Sequence, residues 1–326
     1  MTTIRDVASK AGVSATTVSR VLNNQGYVHE ETRKKVEEVI AELNFKPNSV
    51  ARSLYKKKSK TIGFLIPDIT NPFFPQLVRA VEEVMNQSGY HVFLFNTDEK
   101  IAKELEYIDV LKTKYVDGII IVSNTIKWDH IQNIGVPVIG LDRQLDPQIP
   151  SVIIDNYGDA RRAVRFLIDK GCKNIAHLKG PDHIFNAQER LRGYLDEMNE
   201  HGLPVLVEDG NYNLRNAMTA TMRLFSRNTK IDGVFAGNDV MAVGALKAAS
   251  KLGIHIPKDV LLMGFDGIEW ATAVSPEIST MEQPTYDMGK KAAELLLEYI
   301  EGKTPQQQNF IFQSTIQERE TTKRKR

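Results

Sequence analysis

A small all-α headpiece followed by an α/β body of two lobes with parallel sheets is the fold class this sequence predicts, and three observations predict it. Residues 3–24 read as two short helices around a tight turn, basic charge gathers in the first sixty residues, and from Lys60 onward short apolar runs alternate with amphipathic stretches through two similar units.

The opening segment, TIRDVASKAGVSATTVSRVLNN, places Val7, Ala8 and Ala11 on one stripe of a first helix, with Gly12 at the turn and Ser14 as N-cap of a second. Val18, Val21 and Leu22 then face inward. Ala15, Thr16, Thr17, Ser19, Arg20 and Asn23 are left outside, and small polar groups beside a guanidinium suit base edges in a major groove. The pattern is that of a helix-turn-helix, although a plain helical hairpin with a solvated face shares it. Charge separates the two readings. Residues 1–60 hold 12 Lys/Arg against 6 Asp/Glu, residues 61–317 hold 25 against 33, and the last nine hold 5 against 2, within a whole-chain charge of +1. A basic head on an acidic body is what a chain needs when one end meets phosphates. The terminal TTKRKR reads as a solvated, disordered tail.

Glu30 to Asn44 is expected as a third helix, with Val36, Val39, Ile40 and Leu43 covering the first two. Pro47 ends it. Residues 48–56, NSVARSLYK, are too few to fold alone, and Val50 and Leu54 lie one turn apart. A plain linker has little use for Leu and Tyr, whereas a hinge that turns helical on DNA can wedge Leu54 between base steps. The expected division is therefore a headpiece over 1–46, a hinge over 47–58 and a body over 59–326.

In the body, TIGFLIP, HVFLF, GIIIV and VPVIGL read as strands, alternating with helices near 73–88, 100–114 and 128–133. The alternation restarts at SVIID and continues through NIAHL, DGVFA and VLLMGF, with helices near 157–170, 187–201 and 239–252. Such alternation implies parallel sheets covered on both faces. One lobe is expected over about 60–160 plus 291–320 and the other over about 161–290, with a cleft between them.

Several function classes are excluded. No run approaches the ~18 apolar residues of a membrane span and no apolar leader opens the chain, which points to the cytosol. Cys172 is the lone cysteine, so neither an internal disulfide nor a cysteine-based zinc site is expected. The seven His are scattered, without HExxH, paired carboxylates or a nucleophile beside an oriented base, so no catalysis, metal or cofactor is expected. A transport-type sugar-binding protein would share the body and have no use for residues 1–58.

Ligands of open parallel sheets sit beyond the carboxyl ends of the strands. Asn71, Pro72, Phe73 and Phe74 follow the first strand, Asp142 and Arg143 the fourth, and Asn238 with Asp239 and Phe265 with Asp266 follow later ones; Arg190 and Gln283 add polar groups. Aromatic faces beside carboxylates, amides and guanidinium groups suit a small polyhydroxylated ligand. Singly, Asn71 or Asp239 could cap a helix, Phe73 or Phe74 could be core, and Arg143 could pair with Asp142 alone. Jointly, at strand ends in both lobes, they favour a ligand.

These motifs, together with the junction ELNFKPNSVARSLYKKKSKTIGFLIPDITNPFF and the later LDR, NDVMAVGAL, GFDG and QPTYDMGKKAAELLL, make the chain resemble LacI/GalR-family transcriptional regulators along nearly its whole length, and within them the ribose-responsive members. The resemblance implies a periplasmic-binding-protein-like body in which Asn71, Phe73, Phe74, Asp142, Arg143, Arg190, Asn238, Phe265, Asp266 and Gln283 fall where periplasmic ribose-binding proteins hold their sugar, with Tyr212 in place of a Phe. It also implies that Ala15, Thr16 and Arg20 read base edges, that Thr3, Ser14, Thr17, Ser19, Asn23 and Tyr27 mostly contact phosphates, and that Val50, Ala51 and Leu54 act in the minor groove. The implied partners are an operator in double-stranded DNA, a second copy of the chain, a sugar effector and, as in some Gram-positive members, a phosphorylated phosphocarrier protein. Ribose as inducer is the expected effector; glucose-type sugars, purines and the opposite, co-repressing sign are the alternatives.

Overall fold

The computed structural model describes residues 2–24, 26–45, 59–227 and 230–324. It divides into two units, Met1–Ser59 and Lys60–Arg326. The expected hinge contacts Val50, Ala51 and Leu54 lie outside the described residues.

The first unit contains helices α1 (Ile4–Ala11), α2 (Ala15–Asn23) and α3 (Glu30–Glu42). Helix α1 starts in a capping box: the Asp6 N–H donates to Thr3 Oγ1, and the Asp6 carboxylate accepts from the Thr3 N–H at 2.7 Å and the Thr3 hydroxyl at 2.8 Å. Gly12 ends it in the left-handed conformation at φ 66°, which a residue without Cβ adopts freely. Ser14 opens α2 by accepting from the Thr17 N–H at 3.1 Å. Val7, Ala8, Ala11, Val18, Val21, Val36, Val39 and Phe45 form the core, while Leu22 only packs at its edge.

In the second unit, β1 (Thr61–Ile66), β2 (His91–Asn96), β3 (Gly118–Ile121), β4 (Val138–Leu141), β5 (Ser151–Ile154) and β11 (Asn309–Phe312) make one parallel sheet in the order β11-β5-β4-β3-β1-β2. Helices α4 (Phe73–Gln87), α5 (Ile101–Thr113) and α6 (Trp128–Ile131) connect its strands. The other sheet holds β6 (Ile175–Lys179), β7 (Leu206–Asp209), β8 (Gly233–Ala236), β9 (Leu261–Asp266), β10 (Ser279–Glu282) and β12 (Thr315–Gln317), in the order β12-β10-β9-β8-β6-β7. It is parallel except at β12, which runs antiparallel to β10. Around it lie α7 (Asn156–Asp169), α8 (Phe185–Glu200), α9 (Leu214–Arg227), α10 (Asp239–Lys251) and α11 (Trp270–Ala273). Helix α12 (Thr285–Ile300) returns to pack on α4.

The chain therefore passes between the sheets three times, after β5, after β10 and after β11. The expected lobe limits shift accordingly. Helix α7 packs on α8 rather than closing the first lobe, the return begins at Thr285 rather than 291, and β12 belongs to the second sheet although the first lobe was expected to run to 320. Strands β7, β10, β11 and β12 and helices α9, α11 and α12 were not among the expected elements. β7, β11 and β12 are short and partly exposed, so their side chains lack the apolar runs that mark buried strands.

The expected disordered tail is also corrected at its start. Thr321 and Thr322 are buried: Thr321 donates to the Leu262 carbonyl at 2.7 Å and accepts from the Ser279 N–H at 2.8 Å, and Thr322 bonds the Ser279 hydroxyl. Cys172 is buried, with its thiol pushed up to about 12 by burial, which makes it unreactive. Among the described residues, no helix is long and apolar enough to cross a membrane.

Candidate functional site

In the first unit, the exposed face of α2 carries Ala15, Thr16 and Arg20, the three residues expected to read bases. Thr17, Ser19 and Asn23 are half-buried, and the Asn23 amide donates to the Ser19 carbonyl at 2.8 Å. Tyr27 is 86% exposed beyond the helix. The hydroxyls of Thr3 and Ser14 are already engaged as caps, so what they offer a phosphate is the N-terminal end of a helix, where backbone N–H groups and the dipole favour an anion.

In the second unit, the carboxyl ends of both sheets surround a cavity of about 330 Å³. Eight expected residues line it: Asn71, Phe73, Phe74, Asp142, Arg190, Tyr212, Asn238 and Asp266. Phe73 and Phe74 meet edge to face with centroids 5.3 Å apart, and Phe73 also belongs to the core. Asn71 and Asn238 combine lining with capping, since Asn71 Oδ1 accepts from the Phe73 N–H and Asn238 Oδ1 accepts from the Met241 N–H.

Arg143, Phe265 and Gln283 do not reach the wall. Arg143 turns away and donates to the Ser123 carbonyl at 2.5 Å and the Ile126 carbonyl at 3.1 Å, because the loop after β3 offers carbonyls that the cavity does not. Phe265 is fully buried beneath the Arg190 guanidinium, 3.8 Å from its ring centroid. Gln283 donates to Asp266 Oδ1 at 2.8 Å. These two hold the ligand-facing residues in place from behind. Asp239 is a second correction: its carboxylate accepts from the Gly267 and Ile268 N–H groups and the Thr280 hydroxyl, so it ties α10 to β9 and β10 instead of facing a ligand.

Arg190 is the electrostatic centre. Its Nε donates to Asn156 Oδ1 at 2.8 Å, and Nη1 donates to the Gly237 carbonyl at 2.6 Å and to Asp266 Oδ1 at 3.0 Å. Burial raises the Asp266 carboxyl against the pull of Arg190. Burial also pushes Asp142 up to about 7, with Arg190 opposing and the Asp266 charge adding to the rise. Asp142 Oδ2 accepts from the Asn186 amide at 3.1 Å, while its Oδ1 and the Tyr212 hydroxyl are buried without a partner. Unsatisfied buried polar atoms are costly, and two that border one cavity mark where a polar ligand docks.

Asp68, Glu99, Asn124, His183, Asn186, Asn211 and Asn213 also line the cavity and were not expected. A signal was present for Asp68, Glu99 and Asn124, which follow the ends of expected strands, but not for the NYN run 211–213, which follows the unexpected β7. It was weak because polar residues at loop starts are common.

The sequence matches the family model of periplasmic binding proteins and sugar-binding domains of the LacI family over residues 59–324, and that of bacterial regulatory proteins of the lacI family over residues 3–48. A ribose operon repressor of Halalkalibacterium halodurans is 44% identical over 323 residues, covering 99% of this chain and 98% of its own. A lac repressor dimer bound to operator and an anti-inducer superposes with a TM-score of 0.87 at 27% identity, covering 98% of this chain and 99% of that one. A LacI-family regulator from Enterococcus faecium with bound ribose gives a TM-score of 0.74 at 27% identity, covering 80% and 98%.

Proposed function

We propose that this chain, which belongs to the LacI family of bacterial regulatory proteins, represses a ribose operon and releases its operator when the sugar binds. It is a DNA-binding regulator and not an enzyme. The observation that carries this reading is the pairing, in one chain, of an exposed Ala15, Thr16 and Arg20 face with a cavity that presents unpartnered Asp142 Oδ1 and Tyr212 hydroxyl oxygens beside two phenylalanines. Sugar C–H faces stack on Phe73 and Phe74, while hydroxyls donate to Asp142 and Asp266 and accept from the Arg190 guanidinium. The chain works as a homodimer in the cytoplasm, since one headpiece reads only a half-site of a near-palindromic operator.

Control follows from linkage. Whatever factor ribose takes from operator affinity, operator must take from ribose affinity. The test is a titration of ribose into the operator complex at fixed salt. Release of the operator at sub-millimolar sugar is expected; unchanged affinity up to millimolar ribose overturns the ribose assignment, and tightening reverses the sign.

A further inference from the structure

The lining of the cavity is acidic. Arg190 is flanked by Asp142 and Asp266, so charge there is matched by charge. Asp68, exposed, and Glu99, half-buried, also line the cavity, and among the described residues no lysine lines it, His183 being the one lining side chain besides Arg190 that can carry positive charge. Arg143, the second guanidinium expected there, faces the Ser123 and Ile126 carbonyls instead.

On the side of the cavity formed by the loops before α4 and after β3, the backbone N–H groups are also engaged; the N-terminus of α8, on the other side, has no side-chain cap. Before α4, the Ile69 N–H donates to Asn96 Oδ1 at 2.6 Å, the Thr70 N–H to Asp68 Oδ1 at 2.9 Å and the Phe73 N–H to Asn71 Oδ1 at 3.2 Å. Glu99 accepts both from the Asn124 N–H at 3.1 Å and from its side-chain amide at 2.7 Å. A phosphate is an acceptor-only dianion and needs such donors. On this side of the cavity the protein's own oxygens hold them, and three of those oxygens belong to the Asp68 and Glu99 carboxylates.

We infer that Asp68 and Glu99 determine specificity by restricting the cavity to uncharged sugars and excluding phosphorylated ones. The inference rests on the reading of the cavity as a sugar site. It assigns these two residues a role in selecting the effector: the chain responds to a free sugar before the first kinase step and ignores the phosphorylated product.

The test is calorimetric titration of the full-length dimer with D-ribose, D-ribose 5-phosphate, D-glucose and D-glucose 6-phosphate at about pH 8, above the ordinary imidazole range. Each phosphate should bind at least about 100-fold more weakly than its free sugar, as expected for a dianion placed beside carboxylates in a partly desolvated site. The ratio of the two affinities is then read in Asp68→Asn with Glu99→Gln, and in native protein between about 0.05 and about 0.5 M salt, where screening shortens the reach of the repulsion. Both should narrow the gap by about tenfold or more. A phosphorylated sugar that binds native protein as tightly as the free one overturns the inference and leaves the sugar site standing. A gap unmoved by both the double variant and salt removes Asp68 and Glu99 as its cause and overturns it too. If no sugar of either kind binds, the sugar-site reading itself fails and the inference falls with it.

Discussion

Asp266→Asn removes a charge while preserving the shape of the side chain. In the native chain Asp266 Oδ1 receives two donors, Arg190 Nη1 at 3.0 Å and Gln283 Nε2 at 2.8 Å, so both protein donors use the same oxygen. Asparagine keeps that oxygen as an acceptor, but its amide nitrogen is a donor where a sugar hydroxyl expects an acceptor. A hydrogen bond to a charged group contributes about 1.5–3 kcal/mol, so losing one weakens ribose by roughly 10- to 150-fold. The stability cost is bounded above by the ~3–5 kcal/mol of a broken buried ion pair. It should fall below that bound, because Asn156, the Gly237 carbonyl, the Phe265 ring and the Asp142 charge still hold Arg190. Calorimetry with ribose and fluorescence anisotropy with labelled operator measure the two ends of the switch. Operator affinity without sugar should match native protein, and the sugar concentration that releases half the operator should rise with the calorimetric constant. A variant that releases operator at the native ribose concentration would refute the placement of Asp266 on the ligand.

Four further outcomes are expected. Tyr212→Phe deletes a buried hydroxyl that has no partner, so urea unfolding should show equal or greater stability while ribose binds about 2- to 12-fold more weakly; stronger binding would contradict its role. Arg20→Ala should cost roughly 1–3 kcal/mol of discrimination between operator and a site altered at one guanine, read by competition anisotropy, and an unchanged preference would remove Arg20 from base readout. Asp142 sits at about 7 against an ordinary 3.8, so the folded chain keeps a proton that the unfolded chain loses, and the resulting stability is full below about pH 4 and lost as pH rises to about 7. Because sugar hydroxyls favour the ionised form, ribose should bind more weakly as pH falls through 7 and should release protons near neutrality; equal binding heats in buffers of different ionisation enthalpy would refute this. Gly193→Ala would place a Cβ 2.5 Å from the Tyr157 carbonyl and 2.9 Å from Ala160 Cβ where α8 crosses α7, destabilising the body by about 1–3 kcal/mol in urea, and a neutral result would mean that the helices separate easily.

Much of this architecture was legible because its signals are local. The Thr3 and Ser14 caps, the Gly12 turn and the apolar spacing of Val7, Ala11, Val18 and Val21 specify the headpiece within two dozen residues, and GIII or LLMGFD can hardly be anything but buried strands. Six of the eight expected residues that line the cavity, Asn71, Phe73, Phe74, Asp142, Asn238 and Asp266, stand at or just after the end of a parallel strand, a position that is itself a sequence feature, whereas Arg190 lies within α8 and Tyr212 was implied by the resemblance alone. The errors came from partners distant in sequence. The acceptors that draw Arg143 from the cavity are backbone carbonyls near residue 125, invisible in a motif read as LDR. Asp239 follows a strand as a ligand residue should, yet its three donors come from residues 267, 268 and 280.

By itself, then, the sequence determined the kinds of element, the helix-turn-helix with its exposed Arg20, the division of charge between head and body, and the strand ends at which a ligand would be met. These depend on capping, periodicity and composition, which act over one or two turns of chain. Only the tertiary structure decided where the chain crosses between lobes, that Thr321 and Thr322 are core, that Phe265 and Gln283 stand behind Arg190 and Asp266, and that Asp68 and Glu99 line the cavity. Those outcomes turn on which donors and acceptors meet across dozens to hundreds of residues, and a buried polar group goes to whichever partner folding brings within reach.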